Sequence, residues 1–190
     1  MLTKTQPDEI HDFLGDASYL TGGFTSAVVF PESAEEVAQL LAQATRDKTP
    51  VTISGAGTGT VGGRVPFGGI VIATDKLNRI KQVVRNANDG HAVVEAGVRL
   101  IDLQSAVNAE SLFYPPDPTE RTCFLGGTIA TNASGSRTFK YGPTRNYVER
   151  LKIALPTGDV IDLRRGELQA QSDGQVTIPL PSNGSIQVLL

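Results

Sequence analysis

The sequence feature that most constrains this chain is a glycine-rich stretch at residues 54–69, directly after the apolar, strand-like residues 51–53. Its glycines are Gly55, Gly57, Gly59, Gly62, Gly63, Gly68 and Gly69. Globular proteins average roughly 7% glycine, and each glycine raises the entropic cost of ordering a loop. The stretch therefore predicts backbone to which a ligand comes very close. The alternative is a plain turn between two strands without a ligand.

Around the start of this stretch, the sequence predicts a parallel β-α-β unit. Ser33 is followed three residues later by Glu36, which is a capping-box signature for the start of a helix. Apolar residues then recur at helical spacing at Val37, Leu40, Leu41 and Ala44. Short apolar strands at residues 27–30 and 51–53 flank this helix, so we expect the two strands to run parallel.

Beyond the glycine-rich stretch the pattern changes to alternating strands. Strands are predicted at residues 70–73, 91–95, 151–155 and 160–163. The sequence PTGD between the last two is a hairpin signal. A helix is predicted near residues 98–110, because one of its faces carries Leu100, Leu103 and Val107.

These elements predict an α+β fold with two subdomains. Residues 1–75 form a small parallel β-α-β subdomain, and residues 76–190 form a larger, mostly antiparallel sheet with flanking helices. The apolar, strand-like ending SIQVLL continues to the last residue, whereas natural ends are more often polar. We therefore expect the fold to be incomplete at its C-terminus.

Composition excludes several classes of function. The chain has 190 residues, of which 39% are hydrophobic and 19% charged, and its net charge is -3. This balance argues against a nucleic-acid surface. With a single cysteine, Cys123, and two histidines, we expect no disulfide framework and no metal site. No apolar run is long enough for a membrane span, and the N-terminal stretch MLTKTQPDEIHDFLGD lacks the apolar core of a signal peptide, so we expect a cytoplasmic location.

Two familiar nucleotide motifs fail at the glycine-rich stretch. Residues 57–62 match G-x-G-x-x-G, and Asp75 lies near where a ribose-binding acid would be sought. That motif, however, needs a helix after its last glycine, and GRVPFGG follows here. A nucleotide-hydrolase loop needs Gly-Lys-Ser/Thr, which is absent. What remains is a helix-free anion nest that suits a diphosphate, built from backbone N–H groups and the hydroxyls of Ser54, Thr58 and Thr60.

A second unusual segment, YPPDPTERTCFLGGTIATNASG, spans residues 114–135. Its three prolines stiffen an extended backbone, and Gly126–Gly127 permits close approach. The small and hydroxyl side chains after them suit a flat ligand lying against backbone. Their N–H donors could then reach the nitrogens and carbonyls of an electron-accepting heterocycle.

Taken in order, several motifs resemble the FAD-binding domain of the vanillyl-alcohol oxidase and p-cresol methylhydroxylase superfamily, in the branch of the D-lactate dehydrogenases and the glycolate oxidase flavoprotein subunit. The likeness runs from about Phe30 to Asp162. The motifs are PVTISGAGTGTVGG, VPFGGIVI, VEAGVRLIDL, PPDP, LGGTIATNASG and KYGPTRNYVERLKIALPTGDVI. The resemblance implies FAD as cofactor and a PCMH-type fold.

The resemblance also implies two sets of binding residues. The FAD pyrophosphate would be held by Gly55, Ala56, Gly57, Thr58, Gly59 and Thr60. The ribityl chain and isoalloxazine would be lined by Pro116, Asp117, Pro118, Gly126, Gly127, Thr131, Asn132, Ala133, Ser134 and Gly135, with Tyr141 nearby. Tyr141 could equally fill the core.

Covalent members of that superfamily place a histidine near the glycine loop or a cysteine further on, and residues 54–69 contain neither. We therefore predict non-covalent FAD. Cys123 could be a flavin attachment point, but Thr122 and Phe124 beside it favour a small packed residue. His11 and His91 lie outside the glycine-rich segments and are predicted to be surface or packed residues.

The resemblance implies an FAD-dependent oxidoreductase that oxidises a small 2-hydroxy acid, such as D-lactate or glycolate, with a quinone, a cytochrome or a partner flavoprotein as electron acceptor. Its substrate-binding domain would lie beyond residue 190, so we predict no catalytic residue in this chain. An electron-accepting partner could hold the protein at a membrane without a transmembrane segment. The alternatives are a non-catalytic flavin-binding or electron-transfer subunit and a catalytically silent anion-binding protein.

Overall fold

A four-stranded sheet forms the N-terminal part of the protein, whose computed structural model describes residues 1–189. Its strands are β1 (Leu2–Lys4), β2 (Ala27–Phe30), β3 (Val51–Ser54) and β4 (Ile70–Ala73), in the order β1-β2-β4-β3. Strands β2 and β3 both run parallel to β4, and β1 pairs antiparallel with β2. The predicted parallel arrangement is confirmed, with β4 lying between the two strands that the helix connects in sequence.

The centre of this sheet is the core of the N-terminal part. Val71, Ile72 and Ala73 of β4 are completely buried, as expected for a central parallel strand covered on both faces. One face packs with α1 (Pro7–Ile10) and with the short 3-10 helix over His11–Phe13. There the ring of Phe13 meets that of Phe30 edge to face, with 5.4 Å between centroids.

The connection from β3 to β4 has an unusual form for neighbouring parallel strands. Such strands need a crossover, which is usually a helix. Here the glycine-rich residues 55–69 make the crossover without any helix. The carboxyl ends of the two strands lie side by side, because Ser54 pairs with Ala73 and the Thr74 N–H donates to the Ser54 carbonyl at 3.0 Å.

Helix α2 (Ala34–Asp47) begins where the capping box predicts. The Ser33 hydroxyl accepts a hydrogen bond from the Glu36 N–H at 3.1 Å, and Lys48 ends the helix in a left-handed conformation. Backbone contacts divide the chain into two compact units: Met1–Glu32 with Pro50–Tyr147, and Ser33–Thr49 with the residues from Val148 onward. This division differs from the boundary near residue 75, which stays a prediction about the two FAD-binding subdomains.

The rest of the first unit surrounds a second apolar cluster. Its elements are β5 (Ile80–Arg85), β6 (Gly90–Val94), α3 (Leu100–Ala109), α4 (Leu125–Ala130), α5 (Thr138–Tyr141) and a 3-10 helix over Thr144–Tyr147. Strands β5 and β6 form an antiparallel hairpin. The predicted apolar face of α3 is confirmed, since its residues are buried in one cluster with residues just before α3 and at the start of α4. The buried members of this cluster are Val98, Leu100, Leu103, Val107, Cys123 and Leu125.

The second unit consists of α2 and two antiparallel hairpins. They are β7 (Arg150–Ala154) with β8 (Val160–Arg164), and β9 (Gln175–Pro179) with β10 (Ser185–Leu189). The Thr45 hydroxyl donates to the Pro156 carbonyl at 2.7 Å, which ties α2 to the turn between β7 and β8. The final strand is confirmed through Leu189, and Leu190 lies outside the described residues.

The antiparallel part therefore has the predicted strands in a different grouping. Within residues 1–189 these strands form separate two-stranded hairpins instead of one larger sheet. Sequence alternation identifies a strand and its buried face, but it does not state which hairpin edges pair with each other.

Within residues 1–189, no helix has the length and apolarity that crossing a membrane requires.

Candidate cofactor-binding site

In the glycine loop, residues 55–63, the carbonyl oxygens of Gly55 and Gly57 are bonded to other parts of the protein, and the amides of residues 56–63 are free. The Gly55 carbonyl accepts from Arg64 Nη1 at 2.9 Å, and the Gly57 carbonyl accepts from the Ala17 N–H at 3.1 Å. In a planar trans peptide the N–H points opposite to the C=O, so the Ala56 and Thr58 amides point away from these partners. Within the described chain, no amide of residues 56–63 donates a hydrogen bond.

Two kinds of glycine make up this loop. A Cβ added at Gly55, Gly59 or Gly63 would meet nothing within 4 Å, and none of these residues needs a positive φ. Gly57 is different, since its φ is 77° and its Cβ would lie 2.6 Å from the Arg64 guanidinium. Internal packing therefore explains Gly57 but not the three open glycines, which is the pattern expected where a ligand occupies the space beside a backbone.

The loop contains no helix at Gly62 or after it, so the predicted helix-free form is confirmed. One predicted contributor is wrong. Ser54 is completely buried and its hydroxyl donates to the Gly55 carbonyl at 3.2 Å, so this hydroxyl cannot reach an anion in the nest. The position ends β3, where the strand pairing turns its side chain into the core. Among residues 1–189, the hydroxyls of Thr58 and Thr60 have no hydrogen-bond partner.

Sequence reasoning did not single out Arg64, although it is the one charged residue in the glycine-rich stretch at residues 54–69. Besides Gly55, its guanidinium donates to the carbonyls of Gly15 and Asp12, and it lies over the ring of Phe13. Burial lowers its pKa from the ordinary value, and nearby carboxylates oppose this. An arginine among many glycines was the available signal, because glycine loops rarely bury a charge without a reason.

Asp75, which lies near where a ribose-binding acid would be sought, is half-buried and has one buried carboxylate oxygen. Burial raises its pKa above the ordinary value, and within the described residues its buried Oδ2 has no hydrogen-bond partner. This oxygen therefore cannot accept from a bound sugar. Asp75 instead contributes negative charge near Arg64.

The second predicted segment is built differently, because its glycine pair opens a helix. Gly126 and Gly127 lie in the first turn of α4, and the Gly126 N–H donates to the Ala96 carbonyl at 2.8 Å. A Cβ at Gly126 would lie 2.8 Å from the Ala96 Cβ, whereas one at Gly127 would meet nothing. Gly127 is thus the open position of the pair.

Polar groups after α4 are used within the protein. Asn132 has a φ of 48°, and its Oδ1 accepts from the Arg145 N–H at 3.0 Å. The Ala133 carbonyl accepts from the Thr144 hydroxyl at 2.8 Å. A Cβ at Gly135 would overlap the carbonyl of Asp117. Within residues 131–135, Thr131 and Ser134 are exposed, and the Thr131 hydroxyl donates to the Gly127 carbonyl at 2.9 Å.

The proline-rich part of the segment is fixed by charge and ring contacts. Asp117 lies 3.4 Å from Arg137, and Gln104 Nε2 lies 3.4 Å from both the Pro116 carbonyl and the Asp117 carboxylate. The half-buried ring of Tyr141 packs edge to face on Phe113 at 5.7 Å. Pro118 is half-buried beside Gly135.

Backbone contacts connect the glycine loop to α4. Thr74 donates from its N–H and its hydroxyl to the Ser54 carbonyl, each at 3.0 Å. The Thr74 carbonyl in turn lies so close to Gly97 that a Cβ there would overlap it. Next to Gly97, Ala96 accepts the Gly126 N–H. The two predicted cofactor segments are therefore joined through main-chain contacts.

The predicted roles of Cys123 and the histidines can be compared with their surroundings. Cys123 is buried in the cluster around α3, and burial raises the pKa of its thiol to about 11. This supports the packed interpretation, because a buried neutral thiol is inert. His11 and His91 are exposed.

Comparison with known proteins gives consistent matches. Residues 25–164 match the family model described as FAD binding domain. The chain is 41% identical to a D-lactate dehydrogenase of Anaerostipes hadrus over 82% of this chain and 33% of that protein. It is 34% identical to the glycolate oxidase subunit GlcD of Bacillus subtilis, over 77% and 31% of the two chains.

A third relative is a D-2-hydroxyglutarate dehydrogenase of Xanthomonas citri, at 33% identity over 89% of this chain and 36% of that protein. The chain thus spans about a third of the length of these relatives. Two solved structures of alkyldihydroxyacetonephosphate synthase share the fold. One has a TM-score of 0.74 at 23% identity over 86% of this chain and 32% of its own, the other 0.66 at 26% over 75% and 29%. The predicted α+β fold class and FAD cofactor are confirmed.

Proposed function

The chain belongs to the FAD binding domain family of FAD-linked oxidoreductases, and from this premise we propose that its glycine loop binds the FAD diphosphate. The free amides of residues 56–63, together with the Gly55 and Gly57 carbonyls that are bonded on the opposite side, carry this proposal. Two linked phosphates need converging N–H donors and no opposing carbonyl oxygens. The open directions at Gly55 and Gly59 give room for them. Thr58 and Thr60 add free hydroxyls.

We also infer that the segment around α4 lies along the ribityl chain and the isoalloxazine. The main-chain link from Ser54 through Thr74 and Ala96 to Gly126 supports one continuous binding region. Gly127 gives an open direction on α4, and Thr131 and Ser134 give exposed hydroxyls. The remaining members, which are Pro116, Asp117, Pro118, Asn132, Ala133 and Gly135, hold the shape of this surface through their internal contacts.

FAD binding is proposed to be dissociable. No cysteine or histidine lies in residues 54–69, and the buried Cys123 thiol with its raised pKa is a poor nucleophile. We expect acid precipitation to release all flavin into the supernatant. Flavin that stays with the precipitated protein would contradict this.

For the whole protein we propose oxidation of a small 2-hydroxy acid, such as D-lactate or glycolate. The named relatives are dehydrogenases or an oxidase subunit for acids of this kind. FAD, when bound, would accept the carbinol C–H hydrogen with its two electrons, and the hydroxyl proton would go to a base. This chain's own residues bind and orient the cofactor. The reduced protein then passes its electrons to a quinone, a cytochrome or a partner flavoprotein.

Filling the open side of the glycine loop tests the diphosphate assignment. We expect the double variant Gly55→Ala/Gly59→Ala to fold normally and to bind FAD at least about tenfold more weakly by titration of flavin fluorescence. Gly184→Ala is the matched control, since its φ is ordinary and its Cβ would make only a normal contact with Leu180 at 3.6 Å. Unchanged FAD affinity in the folded double variant would contradict the assignment.

Substrate class is tested on the flavin itself in the full-length protein. Under anaerobic conditions, D-lactate or glycolate should bleach the visible flavin band. A flavin that no 2-hydroxy acid bleaches, while dithionite does, would instead favour a non-catalytic flavin-binding or electron-transfer subunit.

A further inference from the structure

We propose that Arg64 is a positioning residue that fixes the glycine loop in its anion-binding form and supplies its positive charge to the FAD diphosphate. This inference rests on the proposed function. Arg64 directly follows the glycine loop and is not among the proposed FAD ligands.

The Arg64 guanidinium is held entirely by neutral acceptors. Nε donates to the Gly15 carbonyl at 2.9 Å, Nη1 donates to the Gly55 carbonyl at 2.9 Å, and Nη2 donates to the Asp12 carbonyl. The ring of Phe13 lies beneath the guanidinium, with 5.4 Å from Cζ to the centroid. These contacts use the planar fork that only arginine offers, so the side chain has one defined position.

This position sets the direction of a loop amide. Because Arg64 Nη1 holds the Gly55 carbonyl, the Ala56 N–H in the same planar peptide points away from Arg64. The next glycine, Gly57, has its absent Cβ directed at the guanidinium at 2.6 Å. Arg64 therefore lies against one side of the loop and leaves the Ala56 amide directed to the other side.

The charge of Arg64 is not neutralised by an ion pair. Within residues 1–189, no carboxylate lies within 4.0 Å of its guanidinium. The acids that face it at longer range are Asp75, Asp16 and Asp12. Asp16 is engaged by the hydroxyl and the amide of Ser18. The guanidinium stays protonated at neutral pH, so a diphosphate across the loop would complete its charge balance.

Three variants separate charge from shape. Arg64→Gln removes the charge, Arg64→Lys keeps it without the fork, and Gly184→Ala is the unrelated control. We expect Arg64→Gln to weaken FAD binding about tenfold or more, with riboflavin affinity unchanged, because riboflavin has no phosphate. Arg64→Lys should recover part of the loss. The salt dependence of FAD binding should be shallower in Arg64→Gln than in wild type and Arg64→Lys.

Several results would overturn the proposal. FAD affinity of folded Arg64→Gln within about twofold of wild type would do so, as would equal losses for FAD and riboflavin, which would indicate a purely structural role. If Arg64→Gln fails to fold, the salt dependence of binding to the wild-type protein still tests the proposal. The proposal is contradicted if added salt weakens FAD binding no more than it weakens riboflavin binding. If Gly55→Ala/Gly59→Ala loses FAD while Arg64→Gln keeps it, only this inference fails, and the diphosphate assignment stands.

Discussion

The glycine loop at residues 55–63 and the segment at residues 114–135 are both rich in glycine, yet most of their glycines have opposite surroundings. In the loop, added Cβ atoms at Gly55 and Gly59 would point into open space. In the segment, Gly126 faces Ala96 and Gly135 faces the carbonyl of Asp117. The first set of glycines leaves room beside the protein, and the second set brings two pieces of the same backbone together.

Backbone donors show the same contrast. The loop amides at residues 56–63 have no acceptor within the described chain, whereas the amides of Gly126, Ala133 and Gly135 all donate internally. Glycine content alone therefore does not identify a ligand cradle. A ligand cradle is indicated by an open Cβ direction next to a free N–H group. A bound anion would offset both the entropic cost of the glycine and the unpaired donor.

The largest effect that tests this contrast is expected at Gly135. In Gly135→Ala the new methyl would overlap the carbonyl of Asp117, and main chain cannot move aside cheaply. We expect the free energy of unfolding to fall by about 3 kcal/mol or more in urea titrations. A loss below about 0.5 kcal/mol would show that this glycine is not a packing glycine.

Within the loop itself, Gly57 should behave like the packing class. Gly57→Ala combines a φ of 77° with contact to Arg64, so we expect a loss of about 2 kcal/mol in unfolding free energy. In an Arg64→Gln background, which shortens the side chain, the loss should shrink toward the cost of the positive φ alone, about 1 kcal/mol. Equal losses in both backgrounds would mean that Arg64 does not restrict this position. For this reason Gly57 is a poor site for testing ligand contact.

A third prediction concerns Glu95, which directly precedes Ala96 in the main-chain link between the glycine loop and α4. Its side chain is 8% exposed and lies 2.8 Å from Arg79 and 3.2 Å from Lys81. Burial acts to raise the pKa of Glu95, but hydrogen bonds from Arg79 and Lys81 outweigh it and lower the pKa from 4.5 to about 2. A depressed pKa stabilises the folded state above the unfolded value, and this stability is lost as pH falls from 4.5 toward 2.

Glu95→Gln should therefore lose about 1 to 2 kcal/mol of unfolding free energy at neutral pH. The difference from wild type should narrow as pH approaches the folded-state value. Urea titrations across this pH range measure both quantities. A difference that stays constant with pH would mean that the ion pairs do not set the effect, and Lys152→Gln, on an exposed pair with Glu35, is the matched control.

The secondary-structure elements and the helix-free loop could be predicted from the sequence, but the residues that pack against them could not. The capping box at Ser33, the apolar face of α3 and the helix-free loop follow from local periodicity and from residues whose conformational preferences are strong. Packing contacts, in contrast, join residues that are far apart in the sequence. Nothing in the sequence states that Gly126 meets Ala96 or that the Ser54 side chain points inward.

The same limit explains the missed residue. Arg64 acts through carbonyls of Gly15 and Asp12, some fifty residues earlier, and a carbonyl acceptor leaves no mark in the sequence because every residue has one. Side-chain partners such as Asp117 and Arg137 leave complementary charges that can be guessed. Backbone partners appear only when the fold is known.

The smallest expected effect is at Gly127 of α4, a helix that contains one packed glycine and one open glycine. Its neighbour Gly126 is packed, but Gly127 is exposed and its Cβ direction is open. Because alanine favours a helix over glycine, Gly127→Ala should raise the unfolding free energy of the FAD-free protein by about 0.5 to 1 kcal/mol. If the flavin lies along α4, the same variant should also bind FAD more weakly by fluorescence titration. A variant that is more stable and binds FAD as wild type does would place the flavin elsewhere, and the open glycines of the loop would then be the only ones explained by the cofactor.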